Sequence, residues 1–221
     1  MKKVTAIIVA GGRSRRFGSD KVFALLKKKP VIDWSLEAFE THPRINEIIL
    51  VLPDEEQGRG FKDKYKKIAA VVKGGEKRQD SVFEGFRRID PRRTDIVLIH
   101  DGARPLVTQE LIRAVIEEAE DKGAAAPAIP IEDTVKEAAG GTIVRTVDRT
   151  QLVRVQTPQG FAFALFKRAI DKARADGFSA TDDAALIERL GLNVFTVLGD
   201  VRNIKITSPR DIHWAEALLE D

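Results

Sequence analysis

"VTAIIVAGGRSRRFGSDK", residues 4–21, decides the class of fold. It begins with a run that is apolar on both faces, rich in Ile and Val, and far too short to span a bilayer. Two glycines follow, Gly11 and Gly12, and then four cations: Arg13, Arg15, Arg16 and Lys21. Such a run reads as a buried strand, with residues 1–10 as the start of the fold rather than a signal segment. The glycines let backbone N–H groups come close to an anion, and the cations behind them neutralise it. Gly11, Gly12 and Gly18 lack the G-x-G-x-x-G spacing of a dinucleotide fingerprint. Neither Gly11 nor Gly12 has a glycine five positions on, so Walker A fails too. The loop is therefore an anion cradle of another kind.

Working outward, short β-branched runs recur: "EIILVL", "AAVV", "DIVLIHD", "AAAPAIP" and "NVFTVL". Between them lie amphipathic stretches predicting helices at about 31–42, 57–67, 78–89, 108–121, 161–175, 181–190 and 208–219. Strands apolar on both faces need helices above and below, so the alternation predicts an α/β sandwich. Thr108 is placed to cap "QELIRAVIEEAED", and Gly123 ends it. Ser208 is expected to cap the last helix, with Pro209 at its first position and Asp211 in its first turn. Residues 134–156 break the pattern. Two extended runs flank Gly140 and Gly141, predicting a projecting hairpin, and a hairpin of that length needs something to pack on. A second copy of the chain is the economical partner.

The chain has 221 residues, 43% of them hydrophobic, which suffices for a single domain with one projection. Lys and Arg total 37 against 34 Asp and Glu, a net charge of +3. That balance, and arginine pairs without interleaved exposed aromatics, argue against nucleic acid. There is no Cys, which excludes disulfides, thiolate metal sites and a cysteine nucleophile, and suits a cytoplasmic protein.

Further polar stretches stand where loops after strands belong: "GGEKRQDSV" (74–82), "HDGARP" (100–105), "DTVK" (133–136), "TVDR" (146–149) and "TPQGF" (157–161), with "TDD" (181–183) and "NIKIT" (203–207). In open α/β sheets, loops at the carboxyl ends of strands converge on one crevice. With the glycine loop, these stretches in this order resemble the 2-C-methyl-D-erythritol 4-phosphate cytidylyltransferases of the non-mevalonate isoprenoid pathway, across nearly the whole chain. The chain departs from the usual A-A-G-x-G-x-R at Gly11 and Ser14, and Asp20 stands where a proline usually precedes the lysine.

The resemblance implies a three-layer Rossmann-like nucleotidyltransferase sheet with a β-hairpin arm that builds a homodimer. It implies that CTP and methylerythritol phosphate give a cytidine diphosphate alcohol and pyrophosphate. The attacking group is then the substrate's own phosphate, whose second pKa near ~6 leaves it largely dianionic at neutral pH, so no protein nucleophile or general base is needed. Cations and Mg²⁺ (or another hard divalent ion) are left to stabilise the charge that grows on the phosphoryl oxygens.

By their places in the motifs, Arg16 and Lys21 are implied to grip the triphosphate, and Lys205 to position the two phosphates. Ala10, Gly11, Gly12, Gly75, Glu76 and Ser81 are implied to read the base. Asp101 is assigned to the ribose or the metal, and Arg104, Thr157 and Thr181 to the polyol phosphate. Thr134 and Arg149 are implied to enter the partner's site from the arm. Thr181 is also read as the cap of "DDAALIERL", and His100 as scaffolding beside Asp101. Two alternatives remain: a ribitol 5-phosphate cytidylyltransferase, and a CTP-binding sensor without catalysis.

Overall fold

The computed structural model describes residues 1–11 and 21–220. Gly12, Ser14, Arg16 and Asp20 lie outside that range. Twelve strands and seven helices are described within it: β1 (Val4–Val9), β2 (Leu25–Leu26), β3 (Lys29–Pro30), α1 (Val31–Thr41), β4 (Glu47–Leu52), α2 (Arg59–Lys64), β5 (Ile68–Lys73), α3 (Arg78–Phe86), β6 (Ile96–Asp101), α4 (Gln109–Lys122), β7 (Ala124–Pro130), β8 (Val135–Ala139), β9 (Thr142–Val147), β10 (Val153–Val155), β11 (Gln159–Ala162), α5 (Phe163–Ala175), α6 (Ala184–Glu188), β12 (Phe195–Leu198) and α7 (Arg210–Leu218).

The central sheet runs β10-β7-β11-β6-β1-β4-β5, with β12 alongside β7. β1, β4, β5 and β6 are parallel, as are β7 and β12. The antiparallel members are β10 and β11. Strand periodicity divides β1 between two cores. Val4, Ala6 and Ile8 join Ile32, Leu36 and Phe39 of α1 and Ile112, Val115 and Ile116 of α4. Ile7 and Val9 join Val82 and Phe86 of α3 and Phe166 and Ile170 of α5. This is the expected three-layer sandwich, and its double-faced burial explains why β1 reads as an unbroken apolar run.

Helix boundaries follow side-chain chemistry. Thr108 Oγ1 accepts the Leu111 N–H at 3.2 Å, and Gly123 closes α4 at φ 89°. The last helix is arranged differently from the expectation. Pro209 occupies the cap position and the Ser208 side chain does not cap. Asp211 instead reaches back to accept from the N–H groups of Thr207 and Ser208 at 2.6 and 2.8 Å, because a carboxylate offers lone pairs to several orphan donors at once. The expected helix over 161–175 begins at Phe163. Residues 159–162 are claimed by the sheet, slotted between β6 and β7.

The arm is present but shorter than 134–156. β8 and β9 form a separate antiparallel pair turning at Gly140 and Gly141, whose φ values of 57° and 81° give the left-handed turn that residues with a Cβ avoid. Val153–Val155 leave it and pair with β7 in the central sheet, since backbone groups beside β7 gain ladder partners there.

Candidate active site

The chain goes from β1 through β4 to β5, then returns to the opposite side of β1 as β6. The carboxyl ends of β1 and β6 are therefore the topological switch point, where the loops part and leave a crevice. Register places Val9 opposite Asp101, and the Gly102 N–H donates to the Val9 carbonyl at 2.9 Å. The pocket here is lined by Ala10, Lys21, Arg78, Ser81, Asp101 and Lys205, among others. Four loops that are far apart in the chain thus meet as the sequence predicts.

The first and second loops are both fastened to the end of β4. Ala10 N–H donates to Val51 O and Gly74 N–H to Leu52 O, both at 2.8 Å. A Cβ on Gly11 would stand 3.1 Å from Gly74 Cα, so two backbones pass here at a distance that glycine permits. Ser81, 1% exposed, accepts from the Gly75 N–H and donates to Lys77 O, each at 3.2 Å. Its hydroxyl thus ties both ends of loop 74–77 to α3. Glu76 sits exposed on the same loop.

Asp101 carries the electrostatics. Its Oδ1 accepts from Arg78 Nε at 2.8 Å, and its Oδ2 from Lys205 Nζ at 2.6 Å. Burial alone would raise this carboxyl; Arg78 and then Lys205 instead hold it well below the usual carboxylate range. Lys205 is not in a strand of the sheet but in an extended segment after β12. Its flanks, Ile204 and Ile206, pack into an apolar cluster with Leu26 and Val31, and the Ile206 N–H donates to Ala103 O at 2.8 Å. Alternation on that segment turns Lys205 toward Asp101.

Beneath the pocket runs a buried polar chain. The Asp101 N–H donates to Thr157 Oγ1 at 3.1 Å, and Thr157 Oγ1 lies 3.2 Å from His100 Nδ1. His100 Nε2 lies 3.2 Å from Arg104 O. A carbonyl can only accept, so Nε2 carries the proton, Nδ1 accepts, and the Thr157 hydroxyl donates to it. Burial keeps this imidazole neutral, pulling its pKa down to about 3. His100 is scaffolding as expected, though inside β6 rather than in a loop. Arg104 reaches sideways, its Nη1 donating to Asn203 O at 2.7 Å, and Ser35 Oγ donates to Arg104 O at 3.1 Å. Thr157, assigned from the motif to the polyol phosphate, has its hydroxyl engaged by the Asp101 N–H and His100 Nδ1.

Three assigned residues stand apart from the pocket. Thr134, Arg149 and Thr181 are exposed. Arg149 begins a 3₁₀ turn, Arg149–Gln151, between the arm and β10. Thr181 does not cap the next helix. Asp182 Oδ1 accepts the Ala185 N–H at 3.2 Å, and Gln159 Oε1 takes the N–H groups of Asp183 and Ala184. Competition from the buried Gln159 amide displaces the threonine from that role.

Sequence reading passed over Arg78, which stands inside the quoted "GGEKRQDSV". Besides Asp101, its guanidinium meets Asp183, with Nη1 2.8 Å from Oδ2. The available signal was an arginine at the first position of a predicted helix, where the positive dipole end repels cations unless carboxylates are near.

The family model for 2-C-methyl-D-erythritol 4-phosphate cytidylyltransferase, IspD, matches residues 4–221. The chain belongs to this family. A protein of that name from Bacillus velezensis is 42% identical over 231 residues, covering 100% of this chain and 97% of the relative. Another, from Dictyoglomus thermophilum, is 40% identical over 227 residues, covering 99% and 97%. The crystal structure of the cytidylyltransferase from Thermus thermophilus superposes with a TM-score of 0.84 at 34% identity, over 100% of both chains. The match to methylerythritol phosphate cytidylyltransferases over the full length does not favour the ribitol phosphate or sensor alternatives.

Proposed function

We propose that this chain joins CTP and 2-C-methyl-D-erythritol 4-phosphate to give 4-diphosphocytidyl-2-C-methyl-D-erythritol and pyrophosphate. The observation that carries the reading is the meeting of Lys21 and Lys205 with Ala10 and Ser81 around one switch-point pocket. Two lysine ammonium groups on one pocket support the reading of a site for a triphosphate.

The chemistry is a direct displacement. The polyol phosphate attacks the α-phosphorus of CTP in line, a P–O bond forms, and pyrophosphate leaves with the bonding pair. Arg16 and Lys21 hold the triphosphate, and Lys205 draws both phosphates together, which lowers their mutual repulsion before attack. Backbone groups of Ala10, Gly11 and Gly75 read the hydrogen-bonding pattern of cytosine, with Gly12 assigned to the nucleotide beside them, while Ser81 keeps Gly75 in place. Uracil reverses the pattern, and a mismatched buried polar group costs ~1–3 kcal/mol. Glu76 and Arg104 complete the rim.

Among the described residues, no group of three metal-ligating side chains exists. Asp101 is a carboxylate on the pocket wall. This donor set fits a Mg²⁺ carried mainly by the triphosphate oxygens, with Asp101 as its protein contact. When bound, that ion would supply charge neutralisation to the leaving pyrophosphate.

The arm serves a second copy of the chain. Ile143 and Val144, 63% and 58% exposed on β9, place one apolar side chain on each face of the hairpin, which a homodimer wrapping the arm would cover. Thr134 and Arg149 then enter the partner's site, where the planar arginine fork orients the attacking phosphate. No helix among the described residues is long and apolar enough to cross a membrane; a cytoplasmic enzyme working on small molecules, with no nucleic-acid partner, completes the reading.

A pyrophosphate-release assay crossing CTP, UTP, ATP and GTP with methylerythritol 4-phosphate and ribitol 5-phosphate tests it. The expected result is release with CTP and methylerythritol 4-phosphate. Release confined to the ribitol substrate, or no release with CTP, overturns it.

A further inference from the structure

Two carboxylates, Asp101 and Asp183, are 6% and 1% exposed, and the arginine between them comes from a third element. Arg78 is the first residue of α3, directly behind the loop 74–77. Its Nε grips Asp101, its Nη1 meets Asp183, and its Nη2 is buried with no hydrogen-bond partner among the described residues. A buried ion triad with an orphaned donor is a poor stabilising device: desolvation offsets much of its attraction, and the orphan adds an uncompensated cost. What the triad does supply is geometry. Asp183 is itself anchored, because its backbone N–H and that of Ala184 both donate to Gln159 Oε1 on β11. Asp101 in turn holds Lys205.

We infer that Arg78 is a positioning residue that sets Lys205: braced against Asp183, it fixes Asp101, and Asp101 fixes where the Lys205 ammonium stands relative to the base-reading loop. The inference rests on the proposed role of Lys205 in the cytidylyl transfer. It links two ends of one substrate, since the arginine that directly follows the base loop aims the cation at the phosphates. A lysine at this position would keep the charge, but a single ammonium cannot lie flat between two carboxylates as a guanidinium does.

The test is a double-mutant cycle on the full-length protein, measuring kcat and the KM values for CTP and methylerythritol phosphate by pyrophosphate release. Arg78→Lys is expected to lower kcat on the order of 10- to 100-fold, as a misplaced catalytic group does, with the KM for methylerythritol phosphate moving less. In a Lys205→Gln background the same change is expected to cost less than about 3-fold, because there is no longer an ammonium to position. Equal factors in both backgrounds, or an unchanged kcat in Arg78→Lys, overturn the inference. If Arg78→Lys melts too early to assay, the charge-balanced pair Arg78→Gln with Asp183→Asn replaces it in the cycle: restored folding with kcat still low supports positioning, and recovery of both shows a merely structural ion pair. Wild-type protein without pyrophosphate release would refute the assigned reaction instead, so the two failures are told apart.

Discussion

The neutral state of His100 makes a quantitative prediction about acid. In the folded chain its pKa lies at about 3, against an ordinary value of 6.5. The folded value is the lower one, so between the two the unfolded chain binds more protons, and stability falls as pH falls through that window. It is fully present above about pH 6.5. Each pH step is worth about 1.4 kcal/mol, so from pH 6.5 to 4.5 the loss attributable to His100 approaches ~2–3 kcal/mol. That is a large share of the roughly 5–15 kcal/mol typical of a folded domain. Asp101, held below the carboxylate range, adds its own acid loss only below about pH 4, so the two windows separate. Buried His42 is also shifted downward, by burial and then Lys67, and its contribution is common to both proteins in the comparison. The assay is urea unfolding at pH 8, 6.5, 5.5 and 4.5 for wild type and His100→Gln. The variant is expected to be weaker at pH 8, having lost the link between Thr157 and the Arg104 carbonyl, yet to lose ~2–3 kcal/mol less between pH 6.5 and 4.5. Parallel pH profiles, or a His100 imidazole titrating near 6 by NMR, would refute the reasoning.

Three further outcomes are expected. In Gly75→Ala the new Cβ falls 2.3 Å from Asp80 Cβ and 3.2 Å from its carbonyl carbon, so loop 74–77 must move; the KM for CTP should rise at least ~10-fold, about 1.4 kcal/mol, while the melting temperature changes little because the loop is at the surface. Lys205→Gln should fold and keep its affinity for CTP within a few-fold, but lose on the order of 10²–10³ in kcat, measured by pyrophosphate release under saturating substrates. Arg16→Ala and Arg149→Ala, each inactive, should regain activity when mixed and exchanged: random pairing makes about half the dimers mixed, each with one complete site, hence about a quarter of wild-type turnover. No recovery after demonstrated subunit exchange would count against a shared site.

The fold was legible where one rule dominates. β1, β4, β6 and β7 announce themselves because burial on both faces leaves no polar alternation to confuse with a helix, and α4 because Thr108 and Gly123 mark its ends. The antiparallel insertion of β11 was not legible. "QGFA" has neither length nor alternation, and it is a strand only because β6 and β7 offer open edges on either side. β10 was hidden for the same reason inside the arm's extended run. Within the site, Ala10, Lys21, Ser81, Asp101 and Lys205 are drawn together as the motifs implied. Ser81 and Thr157, however, present their hydroxyls to the protein, a distinction that residue type cannot carry. Arg78 escaped because its meaning lies in Asp101 and Asp183, 23 and 105 positions away in the chain.

The central claim is that positive charge brings two phosphates together for one direct displacement, without any covalent nucleotidyl-enzyme. The stereochemical course at the α-phosphorus addresses it most directly, using CTP with a single sulfur of known configuration on that atom. One in-line displacement predicts inversion in the cytidine diphosphate product. Retention, which requires two successive displacements through an adduct on the protein, would contradict the account.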